Sequence, residues 1–74
     1  MTPFHYAGGE LCAEGVPLAR IAGEFGTPAY VYSRAAIEAN FRAFDAALAT
    51  LPRLVCYAMK ANPNLAVLSV LARL

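Results

Sequence analysis

The chain has 74 residues, 59% of them hydrophobic and 15% charged, and a formal net charge of +1. One small domain is the upper bound, and a domain this short hides only roughly 60% of its unfolded surface, so this much apolar sequence predicts a covering partner or a longer polypeptide around it. The few basic residues form no cluster, which excludes a nucleic-acid interface; no apolar run nears the roughly 20 residues of a membrane span, and no secretory signal opens the chain, so the cytoplasm is the expected location.

In chain order, Phe4–Ala7 and Glu10–Ala13 flank Gly8-Gly9. Paired glycines supply the positive φ angles of a tight turn, so the stretch predicts a β-hairpin. His5, beside aromatic residues in that hairpin, reads as structural, and Glu10 and Glu14 read as solvated carboxylates rather than an acid–base pair. Pro17 to Phe25 predicts a short helix, with Leu18, Ile21 and Phe25 on one face, Pro17 at its first position and Gly26 just past its end. Tyr30-Val31-Tyr32 is β-prone and predicts a short strand, with both tyrosines packed.

Ser33 is a good N-cap for the next helix. Ile37, Phe41, Phe44, Leu48 and Leu51 recur at steps of four and three and give it one apolar stripe. Glu38 stands four residues before Arg42, the favoured order for an ion pair, and Pro52 ends the helix. Leu54-Val55-Cys56-Tyr57-Ala58-Met59 is a near-continuous apolar run of strand length, as in parallel strands covered on both faces. After the turn-rich Lys60–Asn64, a final helix covers Leu65 to Leu74, with Asn62 as N-cap ahead of Pro63, or Asn64 as the alternative cap. It reaches Leu74 with no Gly or Asn stop, which predicts a chain cut from a larger protein. Cys12 and Cys56 form no C-x-x-C pattern and read as small buried hydrophobes in a reducing compartment. No metal-ligand cluster and no phosphate-cradling glycine loop is present, so no metal is expected.

Helix, buried strand, loop, helix is the opening of an α/β fold. In such folds the carboxyl end of a strand is where ligands bind, and Lys60 stands there. Strand alternation would place Leu54, Cys56, Ala58 and Lys60 on one face, with the small Ala58 leaving room for a flat ring. A lysine buried there loses the solvation that favours its charged form, and the neutral amine can attack an aldehyde. On spacing alone, the alternative is a lysine that reaches off the strand end into water.

Tyr57-Ala58-Met59-Lys60-Ala61-Asn62 resembles the cofactor-lysine motif of the alanine-racemase-like pyridoxal-phosphate (PLP) enzymes, which include the basic amino-acid decarboxylases. The resemblance implies that Lys60 binds pyridoxal 5'-phosphate covalently on the first strand of a (β/α)8 barrel, and that Ala58 packs near the cofactor ring. Phe4-His5-Tyr6, Gly9-Glu10-Leu11, Ala13 to Leu18, Gly26 to Ser33 and Lys60 to Leu68 are together similar to the start of diaminopimelate decarboxylases, a family several times longer than this chain. Ornithine decarboxylases usually carry Cys after the lysine, where this chain has Ala61. By this resemblance, residues 1–32 are an N-terminal segment that packs with a C-terminal β domain, and residues 33–74 begin the PLP-binding barrel. It further implies decarboxylation of meso-2,6-diaminopimelate to L-lysine by a homodimer of the full-length protein. The rival readings are an ornithine- or arginine-type decarboxylase of the same fold, and a non-catalytic paralogue that binds or regulates.

Overall fold

The computed structural model describes residues 2–74. The elements run β1 (Phe4–Ala7), β2 (Glu10–Ala13), β3 (Val16–Pro17), α1 (Leu18–Phe25), α2 (Arg34–Ala47) and α3 (Leu65–Ala72). The result is a small α/β arrangement in two units, one ending at Ala35 and the other running from Ala36 to Leu74. No helix among the described residues is long and apolar enough to cross a membrane.

The first unit is built on a sheet of order β1-β2-β3. The hairpin forms as its glycines dictate: Gly8 and Gly9 sit at φ 58° and 82°, and β1 pairs antiparallel with β2 from Phe4↔Ala13 to Ala7↔Glu10. A second reversal at Glu14-Gly15 brings β3 back along β2, pairing Cys12 with Pro17 and Ala13 with Val16. Helix α1 follows at once and packs on β2 and β3. Pro17, in an extended conformation, is its N-cap rather than its first helical residue, and the Gly26 N–H closes the last turn on the Ala22 carbonyl at 2.8 Å. The buried apolar residues of this unit are Cys12 and Ala13. His5 stands opposite Cys12, and its Nδ1 is buried without a hydrogen-bond partner.

Glu14 departs from its sequence reading. It is not a freely solvated carboxylate: Oε2 accepts from the Ser33 hydroxyl at 3.0 Å and from the Ala35 N–H at 3.4 Å. Its own N–H donates to the Pro3 carbonyl. Its φ of 56° lies in the left-handed region, a cost of roughly 1–3 kcal/mol for a side-chain-bearing residue that the surrounding bonds must offset. An anionic oxygen on a first-turn N–H also complements the helix dipole. Ser33 is buried, and its hydroxyl serves Glu14 at the start of α2.

In the second unit α2 ends at Ala47, four residues short of Leu51. The chain tightens there into three-residue steps, Leu48 N–H to Asp45, Ala49 to Ala46 and Leu51 to Leu48. Pro52 is the cause, because it pushes the residue before it out of the helical region. The Glu38–Arg42 ion pair forms at 3.4 Å. Of the stripe, Ile37, Phe41 and Leu48 are half-buried while Phe44 stays 58% exposed. Asn64 rather than Asn62 caps α3, accepting from the Ala66 and Val67 N–H groups at 2.9 and 3.3 Å. Helix α3 ends at Ala72 with Arg73 as its cap, and its Val67 is buried.

Two expected strands are not formed. Residues 30–32 are irregular, and Tyr30 is 90% exposed rather than packed. The run Leu54–Met59 is likewise unpaired, with Leu54 86% exposed and Cys56 exposed instead of buried. A strand needs a neighbour to receive its N–H and C=O groups, and a run of the buried parallel type needs one on each edge. Among the described residues, neither segment is paired with one.

Candidate functional site

Lys60 does not stand at the end of a buried strand. It is exposed, and it sits in a turn closed by the Ala61 N–H on the Ala58 carbonyl at 3.0 Å. Ala58 and Lys60 are therefore the first and third residues of one turn, not neighbours along a pleated face. A second bond encloses the first: the Tyr57 hydroxyl donates to the Asn62 carbonyl at 3.1 Å. Beyond it the Asn64 N–H donates to the Asn62 side-chain oxygen at 3.1 Å, and Asn64 in turn caps α3. The loop was legible as the place of the lysine, the strand expected before it is not formed, and these braces were hidden because they depend on how the turn folds back.

A different pair in the same unit also escaped the sequence reading. Arg53 Nε meets Asp45 Oδ1 at 2.8 Å and its Nη2 meets Oδ2 at 2.9 Å, a two-pronged contact across the end of α2. Hydrogen bonding to Arg53 is the main reason the Asp45 carboxyl is held below its ordinary value; slight desolvation opposes it and the guanidinium charge adds to it. The same bonds push Arg53 up, against its own desolvation. The signal available was Asp45 in the last turn of a helix, where its charge opposes the dipole and calls for a cation. No periodic rule links residues eight apart across a proline.

No family model matches the chain. Curated relatives do. Diaminopimelate decarboxylase of Pseudomonas fluorescens is 65% identical over all 74 residues, which are 18% of its length. The enzyme of Pseudomonas aeruginosa gives the same 65% over the same 74 residues and 18%. That of Vibrio cholerae is 58% identical over 66 residues, 89% of this chain and 16% of the relative. The chain matches the N-terminal part of diaminopimelate decarboxylase. It spans about 18% of the length of the first two relatives.

The residues present can be tested against the aldehyde-bearing cofactor that the sequence resemblance implies. Such a group needs a primary amine it can reach and room beside it; the burial expected to favour the neutral amine is not what the structure shows. Lys60 is the one lysine of the 74 residues, and it is exposed. Its turn-mate Ala58 carries a single methyl. The donor set fits a covalent anchor. It does not extend to a phosphate group at α3, whose first-turn N–H groups at Ala66 and Val67 already serve Asn64.

Proposed function

We propose that this chain supplies the cofactor lysine of a diaminopimelate decarboxylase, with Lys60 as the residue that holds PLP and Ala58 beside the ring. What carries the reading is the exposed single lysine, in Tyr57–Asn62, within a chain 65% identical over its whole length to enzymes of that name. The reaction would be loss of carbon dioxide from meso-2,6-diaminopimelate to leave L-lysine. When bound, PLP supplies an electron sink for the pair left behind as the carboxylate departs. The chain's own part is narrower. Lys60 Nζ binds the cofactor and can hold or release a proton there, and the turn from Ala58 to Ala61 sets where Nζ lies. In the complete protein, residues 33–74 would open a PLP-binding (β/α)8 barrel, and neighbouring strands would give Leu54–Met59 the pairing it lacks among the described residues. Residues 1–32 would pack with a C-terminal β domain, in a cytoplasmic homodimer.

The test is borohydride reduction of the complete protein with PLP, then peptide mapping. The expected result is a pyridoxyl group on Lys60; recovery on any other lysine overturns the assignment. Assay against diaminopimelate, ornithine, arginine and lysine decides the substrate, and a higher kcat/KM for ornithine would overturn that part.

A further inference from the structure

The lysine turn is closed twice. Around Met59 and Lys60, the inner bond joins the Ala61 N–H to the Ala58 carbonyl at 3.0 Å, and the outer bond joins the Tyr57 hydroxyl to the Asn62 carbonyl at 3.1 Å. The outer bond is then tied to a helix. Asn62 Oδ1 accepts the Asn64 N–H at 3.1 Å, and Asn64 Oδ1 accepts two N–H groups of α3. An unbroken series of hydrogen bonds thus runs from the residue three before Lys60 to the first turn of α3.

We infer that Tyr57 and Asn62 are positioning residues that hold Lys60 in place for the cofactor.

The argument is one of preorganisation. A lysine on an open loop must give up backbone and side-chain freedom when Nζ becomes fixed to a ligand, and that loss comes out of the affinity. A turn closed on both sides has already surrendered the backbone part. The Asn62 carbonyl lies ahead of the cap of α3 and so outside the helix's own ladder. The Tyr57 hydroxyl donates to it. Tyr57 is 42% exposed, so its hydroxyl bond adds a tether to what packing supplies. Asn62 acts through both its groups: its carbonyl receives Tyr57, and its side chain anchors the turn on Asn64.

This inference rests on the reading that Lys60 holds PLP, and the experiment separates the two. In the complete protein, borohydride mapping of the parent is done first; if the pyridoxyl group is not on Lys60, that reading fails and takes this inference with it. With Lys60 labelled, three variants are compared with the parent. Tyr57→Phe keeps the ring and removes one hydroxyl, so PLP affinity should fall by about three- to tenfold, the net worth of one hydrogen bond. The Ala61 amide of the cofactor-free protein should exchange faster by a similar factor, with the unfolding midpoint unchanged. Asn62→Ala should weaken PLP in the same direction, and Asn62→Asp, which keeps an acceptor oxygen, should restore affinity to within about twofold of the parent. If Tyr57→Phe does not fold, the Asn62 pair decides alone. Parent-like PLP affinity in both Tyr57→Phe and Asn62→Ala overturns the inference. So does a loss in Asn62→Ala that Asn62→Asp fails to recover.

Discussion

Residues 4–13 and residues 54–59 are both rich in strand-forming side chains, yet only the first region is paired. The difference lies in where the partner comes from. In 4–13 the partner is three to nine residues away, and Gly8-Gly9 makes the reversal without strain. The hairpin needs nothing from elsewhere. In 54–59 the apolar pattern is that of a strand flanked on both edges, and no such flank exists among the described residues. One region is complete in itself; the other leads into the lysine turn and is unpaired among the described residues. Local sequence can close a turn, but it cannot create a neighbour.

This contrast predicts a division of labour: substitutions near Lys60 should strike the cofactor and spare stability, whereas those in the first unit should do the reverse. Lys60→Ala in the complete protein is the largest case. Turnover and pyridoxyl labelling should both vanish with the unfolding midpoint unmoved, and a marked fall in the midpoint would break the contrast. Ala58→Leu comes next. Extra methylenes beside the ring should cost about 1–3 kcal/mol of PLP affinity while the fold survives, readable by cofactor titration. Unchanged affinity would mean that Ala58 points away from the ring.

In the first unit, Glu14→Ala removes the acceptor at the start of α2 and should lower stability by about 1 kcal/mol, as the loss of a helix cap does. Urea unfolding measures it, and PLP affinity should stay at the parent value. The smallest effect is Arg53→Ala. The Asp45 carboxyl, now depressed by Arg53, should rise back toward the ordinary carboxylate range, followed by NMR. Because the folded value is the lower one, the pair stabilises above the ordinary carboxylate range and is lost as pH falls through the depressed value. Absence of any shift would show that the two-pronged contact does not persist in solution.

Much of the local structure was legible. The hairpin forms over the residues its glycines mark, α1 lies within a residue of its proline and glycine signals, and Glu38 finds Arg42. These depend on chain neighbours, which a sequence displays directly. Asn62 and Asn64 were both sound caps by type, and only the direction of the backbone into α3 selected Asn64. The two strand readings failed for the reason already given, and with them went the burial of Tyr30 and Cys56. For the candidate site, the motif is the whole basis for proposing Lys60 and Ala58. The nested bonds from Tyr57 and Asn62 were hidden, since a tyrosine in an apolar run reads as packing until its hydroxyl is seen to have an acceptor.

Glu14 has one further consequence. Its carboxylate reaches residues 19 and 21 positions later, so its bonds to Ser33 and Ala35 turn the intervening chain into a closed ring. The entropy lost in closing a flexible ring grows only with the logarithm of its length, by about 0.6 kcal/mol for each doubling. The irregular residues 26–32 form part of that ring and are mostly exposed. That stretch can thus gain or lose a residue or two at little thermodynamic penalty, because the carboxylate clasp and not the linker's length holds the ring shut.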